Sequence, residues 1–171
     1  MFDTVLKLNI LHLLVASTAG ATIFVVLREA RGRSLPPGQL FAALPFALAT
    51  AMLLLAMEDP TTRQPRLWLA GLSGSLAIGV ARGSFVKLQL DRMYTRLRLP
   101  NARDGLWAAC LLAVCVTVAF GAAMAGLPDP TLEIAATSAA AACAGYLGGR
   151  AAAVWRRSLT APHHAVNHTS P

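Results

Sequence analysis

The chain contains few charged residues. Only 13% of its 171 residues are charged, while 56% are apolar, whereas a typical soluble domain is about 25% charged. The large apolar share excludes a disordered chain, and the low charge density excludes an ordinary water-soluble domain and a nucleic-acid-binding module. The mean hydropathy of +0.55 indicates a protein surrounded by lipid.

Cysteine is scarce, and motifs for catalysis are missing. The three cysteines, Cys110, Cys115 and Cys143, lie within apolar runs and form no CxxC pair, so we expect small buried side chains and no disulfide framework. The sequence has no GxSxG, HExxH or GxxxxGK[ST] motif. We therefore expect no enzymatic activity, no catalytic residue, no cofactor and no metal site.

The main feature of the sequence is a series of five long apolar runs. Each can form a helix of bilayer length, about 20 residues, although the third is shorter. We therefore predict an all-α, five-helix integral membrane bundle, a single transmembrane domain over residues 1–158, with a disordered tail over 159–171. Pro45 predicts a kink in the second helix. The predicted spans are 8–27, 40–57, 67–81, 106–127 and 132–154.

The basic residues are distributed unevenly between the two predicted membrane sides. Twelve of the 15 lie in the connections 28–34 and 82–104 and in the segment from Arg150 onward, and three lie on the other side. Since basic loops remain in the cytoplasm, we expect the N-terminus outside and the C-terminus in the cytoplasm. The positive charge therefore reflects topology, and we expect no nucleic-acid partner.

Small residues recur at four-residue spacing in the third and fifth runs. Helices in lipid associate through close backbone contact, which small side chains permit. We predict that these two helices pack tightly within the monomer; the alternative is a homodimer seam along one stripe. The two stripes are Gly71, Ser75, Gly79 and Gly83, and Ala141, Gly145, Gly149 and Ala153.

The connection 82–104 alternates apolar and polar residues over two short stretches, which is typical of a β-hairpin. Its apolar residues also fall on one helical face, so an interfacial helix is the alternative. In either case we expect basic side chains to face anionic cytoplasmic headgroups. These side chains are Lys87, Arg92, Arg96, Arg98 and Arg103.

Asn9 and His12 lie one turn apart in the first predicted span and share a face. An ionisable residue within the membrane indicates a functional role because its burial is costly. His12 could serve a transporter, with Glu133 nearby, or could simply form hydrogen bonds between helices. We expect Glu58 to end a helix in solvent and Asp104 to form weak surface ion pairs.

Several segments together form a recognisable pattern: the Arg-rich loop with Ser34-Leu35, the helix 71–83, the strand-like 86–92, the segment 97–101 and the Gly-rich last helix. This layout resembles a group of small bacterial inner-membrane proteins related to the CcdC-like proteins, a domain of unknown function. The resemblance covers roughly residues 5–158 and implies a compact five-helix fold in the bacterial inner membrane, without any catalytic residue. One departure is Asn101-Ala102, where the family pattern has Gly-Ser.

The functional expectation is a multi-pass membrane protein that acts as a non-enzymatic accessory or interaction component. Its partners would be the lipid bilayer with anionic headgroups and a membrane protein or a second copy of the chain. The alternative is a small transporter or channel that uses the polar face of Asn9 and His12.

Overall fold

A computed structural model describes residues 10–31, 36–58, 60–61, 63–86, 89–91, 96–98, 103–125 and 130–160. Within these ranges the chain is all-α, with five α-helices and one short antiparallel strand pair, and the predicted fold class is confirmed. The helices are α1 (Ile10–Ala30), α2 (Leu44–Met57), α3 (Pro65–Phe85), α4 (Asp104–Ala125) and α5 (Pro130–Thr160).

Proline marks the start of three helices. Pro65 and Pro130 are the first residues of α3 and α5, and Pro45 lies in the first turn of α2. Proline has no backbone N–H, and this costs no hydrogen bond in a first turn, where N–H groups have no acceptor within the helix. Pro45 therefore lies in a first turn and not inside the helix, where the predicted kink required it to be. A 3-10 helix over Pro37–Phe41 precedes α2.

Two helices are longer than their apolar runs. Helix α3 spans 21 residues and α5 spans 31, whereas runs 67–81 and 132–154 were expected. Since α5 continues to Thr160, the prediction of a disordered tail from residue 159 is wrong for residues 159 and 160, and residues 161–171 lie outside the described part. At 1.5 Å per residue, α5 is about 46 Å long.

Helix α5 is the centre of the bundle. Helices α1, α2, α5 and α4 contact each other in that order as a ring, and α3 packs on the outside of α5. Fifteen residues of α5 are buried, whereas α3 buries only Gly79 and Gly83. A helix covered by protein on most sides does not need the hydrophobic surface of one that faces lipid.

Neighbouring contacts show the helix directions. Gly71 of α3 lies against Ser138 of α5, and Gly83 lies against Ala153, so α3 and α5 run parallel. Helices α1 and α4 run antiparallel, because His12 lies near Phe120 while Val26 lies near Gly105. Consecutive helices therefore alternate in direction.

The α3–α5 interface is a direct contact between backbones. A Cβ atom added at Gly149 would overlap the carbonyl oxygen of Leu76, and one added at Gly79 would overlap the carbonyl oxygen of Tyr146. The two small-residue stripes thus lie against each other within one chain. Such close approach increases van der Waals contact between helices.

The strand pair lies beside the end of α5. Strand β1 (Gln89–Asp91) pairs antiparallel with β2 (Arg96–Arg98), with Leu90 opposite Leu97. This pairing agrees with the hairpin alternative for the connection. Leu97 is almost fully buried, in a cluster with Leu40, Ala151 and Val154, so the pair is packed on the bundle.

Three helical segments in the described part of the chain are long and apolar enough to cross a membrane, by length and composition. These are Ile10–Ala30, Gly38–Met57 and Asp104–Ala125. Helices α3 and α5 do not reach the same apolarity. Both are rich in glycine and alanine, and they carry Arg82 and Arg150 within the helix.

Replacing Gly149 by alanine tests the contact between α3 and α5. Because the added Cβ would overlap a backbone oxygen that cannot move alone, we expect Gly149→Ala to lower the free energy of unfolding by about 1–3 kcal/mol. Chemical or thermal unfolding in detergent measures this effect.

Gly74→Ala is the matched control, since it adds the same atom to α3 at an exposed position where nothing lies within 4 Å. It should leave stability unchanged or raise it by up to about 1 kcal/mol, because alanine favours the helix. Equal effects of the two substitutions would contradict the backbone contact.

Candidate functional site

A pocket lies where α1, α2, α4 and α5 meet at one end of the bundle, which we call the pocket end. Its cavity volume is about 80 Å³. One side is polar and the other is formed by aliphatic and aromatic side chains. The lining residues are His12, Leu54, Met57, Glu58, Ala119, Phe120, Ala123, Glu133 and Thr137.

Glu58 is the most buried acidic residue of the pocket. It follows directly after α2, and only 5% of its surface is exposed. Its Oε1 accepts a hydrogen bond of 2.5 Å from the Thr137 hydroxyl of α5, while its Oε2 is buried with no hydrogen-bond partner within the described ranges. The expectation that Glu58 ends a helix in solvent is therefore wrong, because α5 covers it.

His12 extends from α1 into the same pocket. Its ring lies 4.9 Å from the ring of Phe120, measured between centroids. Its Nδ1 is buried and has no hydrogen-bond partner among the described residues. The pocket therefore contains two buried acceptor atoms that can receive a hydrogen bond from a ligand, provided that the proton of His12 is on Nε2.

Arg63 contacts the backbone of Glu58 rather than its carboxylate. The Nη2 of Arg63 donates to the backbone oxygens of Ala56 and Glu58, both at 3.0 Å. It thus satisfies the carbonyl groups that the end of α2 leaves free. In the part of the chain that the structure describes, no cationic side chain forms an ion pair with the Glu58 carboxylate.

Three of the lining side chains, His12, Glu58 and Glu133, are of types that can bind metal ions. Among the described residues, no group of three or more His, Cys, Asp or Glu side chains lies close enough to hold one.

A cluster of buried charges lies at the opposite end of the bundle, which we call the arginine end. Arg150 of α5 is 3% exposed. Its Nη1 donates to Glu29 of α1 at 2.8 Å, and its Nε donates to Asp104 of α4 at 3.0 Å. The Tyr146 hydroxyl also donates to Asp104, at 3.0 Å. This cluster joins three helices through one guanidinium group.

Asp104 was expected to form weak surface ion pairs, and this expectation is wrong. It is the first residue of α4, and its carboxylate is partly covered between α4 and α5. There is room for Arg150 beside it because the next residue is Gly105, where an added Cβ would lie 3.4 Å from Nη1 of Arg150. Charges paired in a site of low solvent exposure interact more strongly than surface pairs.

The residues predicted as sites are placed as follows. His12 lines the pocket together with Glu133, and Arg103 is exposed just before α4. Asn9, Lys87 and Arg92 lie outside the described residues, as do the side chains of Arg96 and Arg98. Cys115 and Cys143 are buried, but Cys110 is exposed, so the expectation of burial is wrong for Cys110.

Sequence reasoning missed Glu58, Glu29, Asp104 and Arg150 as members of buried clusters. The sequence does contain a signal for the cluster around Arg150. Five alternating helices place Glu29, Asp104 and Arg150 at the same end, and Arg150 lies within the predicted fifth span. A charge inside a span needs a partner, and the sequence offers three acidic residues on that side, Glu29, Asp91 and Asp104.

Comparison of the chain with protein-family models, with curated proteins and with solved structures finds no match. The resemblance to the CcdC-like group therefore stays a prediction. Function has to be inferred from the geometry described above.

Replacing Arg150 by methionine tests the buried charge cluster. The substitution keeps a long side chain but leaves two carboxylates without their cation, so we expect the free energy of unfolding to fall by about 3–5 kcal/mol. Thermal unfolding in detergent or nanodiscs measures it.

The triple variant Glu29→Gln, Asp104→Asn, Arg150→Met is the control, because it removes the charges together. It should recover a large part of the lost stability. If Arg150→Met alone were no less stable than the wild type, the cluster would not hold the helices together.

Proposed function

We propose that this chain is a multi-pass integral membrane protein that crosses the bilayer five times. The observation that carries the proposal is the packing of α3 and α5 alongside the three helices that are apolar enough to span. Because α3 and α5 lie alongside these three helices, a membrane that the three cross also surrounds α3 and α5. The alternating directions of the five helices fit successive crossings.

The moderate apolarity of α5 does not oppose this proposal. Its small and polar residues are covered by α2, α3 and α4, and Arg150 is paired within the protein. Charged groups inside membrane proteins face the bundle interior in this way.

The outer face of α3 also supports a lipid environment. Large apolar side chains are exposed there, where water would be an unfavourable solvent. The exposed residues are Leu67, Leu69, Leu76, Ile78, Val80 and Phe85.

The distribution of arginine supports one orientation. Exposed at the arginine end are Arg28, Arg31, Arg82, Arg103 and Arg156, and twelve of the 15 basic residues lie in the sequence segments that are predicted on this side. We place this end in the cytoplasm and the pocket end outside, because basic segments remain on the cytoplasmic side. The membrane would be the bacterial inner membrane, as the family resemblance implies.

The biochemical role that we propose is non-enzymatic. The exposed arginines would contact anionic headgroups at about 1 kcal/mol each, and the protein would act as an accessory or interaction component of the membrane. The second candidate is a small transporter or channel. The specific observation that favours it is the pocket that brings His12 together with Glu58 and Glu133.

Cysteine labelling tests the crossings of α2 and α3 and the side on which the arginine end lies. In a variant without native cysteines, single cysteines replace Arg31, Gln64, Arg103 and Arg156, which are all exposed. We expect a membrane-impermeant maleimide to label Gln64→Cys on intact cells, and to label the other three only after the membrane is opened.

The comparison between Gln64→Cys and Arg103→Cys shows whether α3 crosses the membrane, because the two positions lie before and after this helix. Labelling of both positions from the same side would show that α3 does not cross. Labelling of Arg103→Cys alone on intact cells would reverse the proposed orientation.

A further inference from the structure

We propose that the pocket of His12, Glu58, Glu133 and Thr137 binds a primary ammonium group. The ligand class is a small amine in its protonated form, or the same group on a lipid headgroup. This inference concerns the pocket alone and does not depend on the number of membrane crossings.

The charge of the pocket favours a cation. Glu58 and Glu133 both line it, and only 5% of the surface of Glu58 is exposed. A buried carboxylate without a cationic partner is costly. Arg63 donates to backbone oxygens instead, and no other described residue forms an ion pair with Glu58, so the carboxylate is open to a cationic ligand.

The free acceptor atoms match the donors of an ammonium group. Oε2 of Glu58 and Nδ1 of His12 are buried and unpartnered within the described ranges. A primary ammonium carries three N–H donors and no acceptor. It can therefore donate to either atom, whereas a quaternary ammonium has no N–H and an anion would be repelled.

The size and the walls of the pocket limit the ligand. The cavity volume of about 80 Å³ exceeds the roughly 10–15 Å³ that a cavity needs to hold one water molecule, so a small group fits. Leu54, Met57 and Phe120 form an apolar wall that can contact a short alkyl chain. A bare metal ion is disfavoured because the described residues offer no converging set of three ligands.

Two sources can supply this group. The pocket lies at one end of the membrane bundle, where both the aqueous phase and lipid headgroups are accessible. A free alkylamine and the headgroup of phosphatidylethanolamine present the same primary ammonium. The experiment below distinguishes them.

Ligand-observed NMR with ethylammonium tests the proposal on the full-length protein in phosphatidylcholine nanodiscs. We expect saturable binding of ethylammonium and none of ethanol, which has a similar size but no charge. Glu58→Gln should weaken binding at least about tenfold, because it removes the charge that the ammonium pairs with. The glutamine oxygen can still accept from Thr137, so the local fold is retained.

Two further variants separate binding from folding. His12→Phe removes the free acceptor but keeps an aromatic ring beside Phe120, and it should also weaken binding. Cys110→Ser is the matched control, since Cys110 is exposed and does not line the pocket; it should bind ethylammonium like the wild type.

The lipid composition identifies the source. If nanodiscs that contain phosphatidylethanolamine weaken the binding of ethylammonium, the headgroup occupies the pocket; if they do not, a free amine is the ligand, and both results support the site. Absence of saturable binding in phosphatidylcholine would overturn the proposal. Equal affinity of the wild type and Glu58→Gln, or equal binding of ethanol, would overturn it as well.

Discussion

The close approach of α3 and α5 is the constraint on which the rest of the structure depends. In lipid, the hydrophobic effect does not drive helices together, so contact area must do so. At Gly79 and Gly149 the backbone of one helix occupies the space where a side chain of the other would be. This contact covers one face of α5 with α3, and α2 and α4 cover the others. The central helix can therefore carry glycine, alanine and a buried arginine, which lipid alone would not solvate.

The same central helix contributes to both polar regions of the bundle. Thr137 holds Glu58 at the pocket end, and Arg150 holds Glu29 and Asp104 at the arginine end. The two regions differ in their charge balance. Arg150 pairs with two carboxylates, although its Nη2 has no hydrogen-bond partner within the described ranges, whereas Glu58 has no ion-pair partner among the described residues. A buried charge without an ion-pair partner is the stronger sign of ligand binding.

Much of the fold follows from sequence patterns, because those patterns are local. Apolar runs indicate the helices, and glycine spacing identifies the faces of α3 and α5 that lie together. The partner of a charged residue is a property of the tertiary fold, which is why Glu58 and Asp104 were expected in solvent. The connection before α4 fitted both strand and helix periodicity, so its sequence alone could not decide between them. In the structure the strand pair contacts the bundle through Leu97, which is buried against α5.

The most direct test of this account is the relative direction of α3 and α5 in a bilayer. Pulsed electron paramagnetic resonance in nanodiscs, with spin-label pairs at exposed positions, measures it. The account predicts short distances for Gln64 with Leu132 and for Phe85 with Trp155, and a distance of about 30 Å or more for Gln64 with Trp155, because 21 helical residues span about that length. A Gln64–Trp155 distance shorter than the Gln64–Leu132 distance would contradict the parallel contact and, with it, the central position of α5.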